Sequence, residues 1–171
     1  VNAALGSLRK VPVAVWTVAL GVFAALYLAF FSLQAGYLFG AFVKMIPDGY
    51  TIAEYARQGF FSLCRVMAVN FALLWLVTRA CVKPVRQEKT LLLLCAVLLC
   101  QSLVFAAIAA SKLYLYISSY GFTPRRLQSA WLIAVLAAGT GCALYSLVTG
   151  KKAVRYWMLF SAATLMLLSL Y

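Results

Sequence analysis

Residues Thr90 to Arg126 read TLLLLCAVLLCQSLVFAAIAASKLYLYISSYGFTPRR, and from Thr90 to Ser111 they carry no charge. An α-helix needs about 20 consecutive apolar residues to cross the hydrocarbon core of a bilayer, so the run is long enough to span one. It lacks the alternation of a strand, and barrel strands of about 9 to 11 residues are much shorter. A turn comes next. Gly121 is expected to close the helix in the left-handed conformation, Thr123 to cap a new helix, and Pro124 to take its first position, where a missing N–H is harmless. The stretch reads as two antiparallel membrane helices with a tight connection. Lys112, Tyr114, Tyr116, Tyr120, Arg125 and Arg126 gather at that joint.

Outward from this segment the pattern repeats. Of 171 residues, 66% are hydrophobic and 11% charged, and the mean hydropathy is +0.98; soluble domains carry roughly 25% charged residues. Further apolar runs cover 11–42, 51–82, 123–149 and 151–171. Gly36 and Gly40 interrupt the first, Ile46-Pro47-Asp48-Gly49 marks a turn after it, and the polar segment from Lys83 to Lys89 precedes the run at 90. The first run exceeds the 7–15 residue core of a signal peptide and has no polar cleavage region, so it is expected to stay in the mature protein. The expected fold is all-α: a polytopic transmembrane helical bundle of about five transmembrane helices, forming a single domain over 1–171. A start at Val1 rather than Met is expected of a processed or truncated piece of a longer polypeptide.

The net charge of +12 arises from 15 Lys and Arg against three acidic residues. These cations sit around span ends. With a cytoplasmic N-terminus, Arg9, Lys10, Arg79, Lys83, Arg86, Lys89, Lys151, Lys152 and Arg155 lie inside, and Lys44, Arg57, Arg65, Lys112, Arg125 and Arg126 outside. Nine against six agrees with the positive-inside rule. Anionic membrane lipids are the expected counterions. Nucleic acid is not an expected partner, because no soluble basic surface or binding motif is present. Five cysteines, Cys64, Cys81, Cys95, Cys100 and Cys142, form no CxxC pair, and histidine is absent. The chain therefore has few ligands for a transition metal and no imidazole to serve as a catalytic base. No metal or cofactor is expected, and the chain is not expected to be an enzyme.

Two connections hold most of the polar residues. Thr51-Ile52-Ala53-Glu54 fits a capping box, with Tyr50 and Tyr55 as its hydrophobic staple. From there Tyr50, Glu54, Arg57, Phe61 and Arg65 recur at steps of three or four, so they share one helix face. Arg65 lies inside an apolar run, where an arginine costs roughly 2.5 to 3.5 kcal/mol at the span centre and either snorkels to the interface or marks a ligand site. At the second connection, Gln101, Phe105, Lys112, Tyr116 and Tyr120 share a face of the preceding helix, and Tyr114 points elsewhere. An interfacial aromatic belt with Lys112 as anchor accounts for part of this cluster. Both connections fall on one side of the membrane, so Glu54, Arg57, Arg65, Lys112, Tyr116, Tyr120, Arg125 and Arg126 are expected to converge at the outer mouth of the bundle. Such a cluster has the guanidinium chemistry of a phosphate or carboxylate site.

The segment Tyr55-Ala56-Arg57-Gln58-Gly59-Phe60-Phe61-Ser62-Leu63, followed by Tyr116-Ile117-Ser118-Ser119-Tyr120-Gly121-Phe122-Thr123-Pro124-Arg125-Arg126, resembles a family of bacterial multi-pass inner-membrane proteins described as a domain of unknown function. Gly36-Tyr37-Leu38-Phe39-Gly40 and Pro47-Asp48-Gly49-Tyr50 are similar to that family too. The resemblance runs roughly from Phe30 to Trp131 and matches the C-terminal part of longer members. It points to Tyr55, Ala56, Arg57, Gly59, Phe60 and Phe61 in the first motif and to Tyr116, Tyr120, Gly121, Thr123 and Arg126 in the second. Ser62 stands where similar proteins often have a carboxylate, which weakens any acid-base role, and Phe122 replaces a more usual Leu. The resemblance implies a bacterial inner membrane and brings no activity or cofactor.

These features leave two function classes. One is a transporter or transport-linked subunit, with the polar cluster and the Gly-interrupted first span lining a path. Against it stand the lack of an internal repeat and the scarcity of carboxylates. The alternative is a non-catalytic assembly, signalling or envelope-maintenance component with a membrane-protein partner or a second copy. Its interface would use the small residues Ala106, Ala107, Ala109 and Ala110, or Ala137, Ala138, Gly139 and Gly141. An intramembrane enzyme acting on lipid ranks below both, because Glu54, Asp48 and the tyrosines offer few acid-base groups.

Overall fold

The computed structural model describes residues 11–36, 38, 49, 51–82, 84–151 and 153–169. The expectations placed on Arg9, Lys10, Tyr37, Gly40, Lys44, Pro47, Asp48, Tyr50, Lys83 and Lys152 lie outside the described residues. Among the described residues five long α-helices succeed one another: α1 (Val13–Leu33), α2 (Ile52–Ala80), α3 (Lys89–Tyr120), α4 (Pro124–Thr149) and α5 (Ala153–Ser169), with a short 3-10 turn at Val85–Gln87 between α2 and α3. Among the described residues, extended pairing is limited to an isolated bridge between Val11 and Cys81. There the N–H of Val11 donates to Ala80 O and that of Val82 to Val11 O, both at 3.3 Å.

Helices α1 to α4, with 21, 29, 32 and 26 residues, are long and apolar enough to cross a membrane. At 1.5 Å per residue, α2 and α3 are about 43 and 48 Å long, well beyond the roughly 30 Å hydrocarbon core. Their ends therefore rise into the headgroup layer, where caps and charged side chains meet water. The fifth expected span is an apolar helix, yet at 17 residues α5 is shorter than the other four. In the first run α1 ends at Leu33, with the N–H of Gln34 donating to Phe30 O at 2.9 Å, and helical backbone resumes at Ala35, where the N–H of Leu38 donates to Gln34 O at 2.8 Å.

The boundaries have local causes. α2 begins at the capping box anticipated from Thr51 and Glu54, and both of its reciprocal bonds are present. Pro124 opens α4. Gly150 closes α4 in the left-handed conformation, φ 76° and ψ 4°, with its N–H donating to Ser146 O at 2.8 Å. Beside it, Arg86 Nη2 donates to Val148 O at 3.1 Å and ties the 3-10 turn to the end of α4.

α3 is the central helix. Half of its most apolar stretch is buried, against 28% for α2 and 17% each for α1 and α4. It packs on α1, α2 and α4, while α5 packs on α4. Lipid tails are as apolar as leucine, so membrane helices associate through close packing and polar contacts rather than by leaving water. Close packing is visible at Ala106 and Ala109, 4% and 0% exposed, whereas Ala107, Ala110, Ala138 and Gly141 face outward. One apolar cluster, with Phe60, Leu63, Met67, Phe105, Ile108 and Ile133, fills the half nearer the α3–α4 turn. A second, with Trp16, Leu20, Val77, Leu91, Cys95 and Leu98, fills the other half. α5 is held by Trp157, whose indole N–H donates to Val135 O at 2.9 Å while its ring stacks on Phe71 at 5.9 Å.

Candidate functional site

The α3–α4 turn is built around Arg126. Gly121 has φ 77°, which favours glycine, but its ψ of 177° is extended, so it is not the left-handed helical cap expected there; that conformation occurs at Gly150 instead. Thr123 takes the N-cap position without a side-chain capping bond. Its carbonyl accepts the N–H groups of Arg126 and Leu127 at 2.9 and 3.1 Å. This path aims the Gly121 carbonyl at Arg126, whose Nη1 donates to it. The guanidinium carbon lies 4.2 Å from the centre of the Tyr116 ring and 5.8 Å from that of Tyr120. The two rings, one helical turn apart, are 5.2 Å from each other. Arg126 is thus fixed by one carbonyl and two π-faces. A guanidinium has five N–H donors in a planar fork, and Gly121 engages one nitrogen.

Lys112 forms a second centre. Although charged, it is 0% exposed. The cause is Gly59: a Cβ there would lie 2.6 Å from Lys112 Cδ and 2.8 Å from Nζ, so only glycine leaves a slot for the lysine stem between α2 and α3. One turn earlier on α2, Tyr55 turns its ring to the ammonium, with Nζ 3.6 Å from the ring centre. The i, i+4 spacing of Tyr55 and Gly59 puts slot and ring on one face. Sequence reasoning gave Tyr55 a staple role, and its partner Tyr50 lies outside the described residues. The pairing of an aromatic residue with a glycine four positions later was the available signal for the slot.

The remaining predicted residues point elsewhere. Glu54 is engaged by the cap: its Oε2 accepts from Thr51 Oγ1 at 2.7 Å and from Thr51 N at 3.2 Å. Glu54, Arg57, Phe61 and Arg65 are exposed, on the opposite side of α2 from buried Tyr55, Gly59 and Leu63. Arg125 is exposed as well. The structure therefore brings Arg126, Tyr116 and Tyr120 together and seats Lys112 on Tyr55, but it places Glu54, Arg57 and Arg65 on a separate outward stripe. Arg65 lines an open groove of about 510 Å³ with Phe61, Cys64, Ala68, Leu132 and Leu136.

A polar layer between the two apolar clusters was not anticipated. Tyr27 of α1 donates its hydroxyl to Asn70 Oδ1 at 2.8 Å, and Asn70 Nδ2 donates to Ser102 Oγ at 2.7 Å. Ser102 in turn donates to Leu98 O, and Gln101 Nε2 donates to Ala24 O at 3.2 Å. Asn70 is 1% exposed and Gln101 7%, and Gln101 Oε1 has no hydrogen-bond partner. The signal was Asn70 alone within an apolar run, as informative as Arg65 but uncharged.

All five cysteines are free thiols. Among the described residues no three His, Cys, Asp or Glu side chains come together as a metal site. The family described as a domain of unknown function (DUF4153) matches residues 3–171, a wider span than the two motifs cover. No curated protein and no solved structure matches the chain.

Proposed function

The chain belongs to the DUF4153 family, and from that premise we propose that this integral membrane protein holds a phosphate- or carboxylate-bearing anion at its α3–α4 end. The carrying observation is the Arg126 cradle, a guanidinium fixed by the Gly121 carbonyl and the faces of Tyr116 and Tyr120. A guanidinium pre-set in this way loses less freedom on binding, and its planar fork fits phosphate or carboxylate in a bidentate manner. Exposed Arg125 adds a second cation beside it. In this reading the protein is a non-catalytic, transport-linked subunit of a bacterial inner membrane. Its N-terminus is cytoplasmic and the cradle faces outward, as the nine-to-six cation count favours.

The test is binding to purified protein in nanodiscs, with inorganic phosphate in one arm and phosphatidylglycerol in the other. Arg126→Gln is expected to weaken the bound anion by about tenfold, the scale of one charge-assisted hydrogen bond. Arg126→Lys is expected to restore little, because an ammonium lacks the fork. Phosphate binding alone points to a soluble anion, and phosphatidylglycerol alone to a headgroup. Unchanged affinity of Arg126→Gln for both ligands, in a variant that stays monodisperse, overturns the proposal.

A further inference from the structure

The groove beside Arg65 pairs two features that rarely coincide by chance in a membrane helix. Its walls are apolar, formed by Phe61, Cys64 and Ala68 of α2 and by Leu132 and Leu136 of α4, yet a permanently charged guanidinium stands at its edge. Arg65 is the fourteenth residue from Thr51, about 21 Å along α2, so it lies well below the cap. Arginine at such depth is costly unless it reaches water, protein or an anion. Arg57 and Phe61 stand above it on the same exposed stripe, at steps of four. The stripe thus runs from a cation near the headgroup layer, past an aromatic ring, to a second cation and an apolar channel. That is the order of parts in a glycerophospholipid: phosphate, glycerol esters, acyl chain.

We infer that this groove is a lateral lipid site, in which one acyl chain of an anionic glycerophospholipid lies between α2 and α4 while Arg57 and Arg65 hold its headgroup. The distance between the Cα atoms of Arg57 and Arg65, eight residues apart, is about 12 Å along the axis. An arginine side chain is long enough that one reaching down and the other snorkelling up can both engage a single phosphate within that interval. Two further observations favour a lipid over a helix from a partner. Membrane helices dock where small residues let backbones approach, and Phe61, Leu132 and Leu136 are bulky. The volume of about 510 Å³ falls within the 300–1,000 Å³ of ordinary small-molecule sites. The site shares no residue with the Arg126 cradle, so either proposal stands if the other fails.

The experiment is native mass spectrometry of the whole chain released from nanodiscs of equimolar phosphatidylglycerol and phosphatidylcholine. The wild type is expected to retain one phosphatidylglycerol at the groove, with about a tenfold preference over phosphatidylcholine, the scale of a charge-assisted contact. Measured in the Arg126→Gln background, so that a lipid held at the cradle does not contribute, the groove keeps that preference and Arg65→Gln is expected to abolish it. Ala68→Trp, which fills the channel and keeps both guanidiniums in the chain, is expected to lose the lipid while the chain stays helical and monodisperse. Equal retention of both lipids by the wild type overturns the proposal, as does an undiminished preference when Arg65→Gln is added to Arg126→Gln. If Ala68→Trp keeps the lipid, the acyl chain does not lie in the channel and the proposal fails on that ground. A co-purifying protein displaced by Ala68→Trp would assign the groove to a partner helix and likewise overturn it.

Discussion

The slot that holds Lys112 makes the effect of Gly59→Ala change sign with its neighbour. A Cβ at Gly59 would lie 2.6 Å from Lys112 Cδ, 2.8 Å from Nζ and 3.0 Å from Cε, so the nearest contact falls 0.8 Å short of the 3.4 Å at which ordinary van der Waals contact begins. Lys112 must give way. If it stays, the overpacking costs about 1–3 kcal/mol; if it swings off Tyr55, a desolvated cation–π contact of about 2 kcal/mol is lost. Either cost matches or exceeds the gain of about 1 kcal/mol from replacing a helix-interior glycine by alanine. The net is a destabilisation of up to about 2 kcal/mol, or up to roughly 8 °C in thermal midpoint for a chain of this size. In a Lys112→Ala background the obstruction is gone, and the same substitution should stabilise by about 1 kcal/mol. The assay is a four-member double-mutant cycle, melted in one detergent and followed by loss of helical circular dichroism, with an expected coupling of about 1–3 kcal/mol. Gly59→Ala having the same sign and size in both backgrounds would refute the packing argument.

Gly139→Ala should be harsher, because its Cβ would meet the rigid Trp157 indole, 2.6 Å from Cε2, rather than a flexible stem. The ring is also fixed by Val135 O and Phe71. α5 is expected to undock, seen as faster proteolysis after Lys151 and a loss of about 2–3 kcal/mol; unchanged proteolysis counts against the contact. Asn70→Leu removes the bonds to Tyr27 and Ser102 and should cost about 1–2 kcal/mol, since intramembrane hydrogen bonds average about 0.6 kcal/mol each. A midpoint equal to that of wild type would reduce the polar layer to incidental contacts. For orientation, Phe122→Cys, at a residue 63% exposed in the α3–α4 turn, should react with an impermeant maleimide on intact cells, whereas Lys151→Cys, exposed just past the end of α4, should react only after lysis. The reverse pattern inverts the topology.

Much of the helix plan can be read from punctuation. Thr51 and Glu54, Pro124 and Gly150 set boundaries that agree to within a residue with expected runs beginning at 51, 90 and 123, because caps act locally and need no tertiary context. Facing is another matter. In a soluble helix the apolar stripe marks the core, but lipid is as apolar as a core, so the charged stripe of α2 was the misleading cue. Arg57 and Arg65 look inward on a helical wheel and are outward in the structure, where a long side chain can reach the interface. Lys112 goes the other way, and what decides it is a glycine on another helix. Pairwise complementarity of that kind, between positions 59 and 112, leaves no periodic trace within either segment. The Gly121 turn failed as a left-handed cap for a similar reason: its ψ follows the path that brings its carbonyl to Arg126.

The distribution of charge argues for partners outside the chain. There are 15 cations and three acidic residues. Of the acids, Glu54 is engaged in its capping box and Asp48 lies outside the described residues. Several cations are met by aromatic faces: Arg126 by Tyr116 and Tyr120, Lys112 by Tyr55, and Arg79 by Trp75 at 5.8 Å. A ring quadrupole orients a cation but carries no net charge, so these contacts leave the sum at +12. In a low-dielectric setting that excess is costly unless anions sit close to it. Three acidic residues are too few to supply them. Lipid headgroups are the abundant anions at the ends of a membrane helix, and Arg126 and Arg79, held by rings without being buried, are placed to receive them with little further ordering. The same charge imbalance joins the cradle at Arg126 to the stripe at Arg57 and Arg65: in both, fixed positive charge stands at a span end or beside apolar surface, and both proposals start from that arrangement.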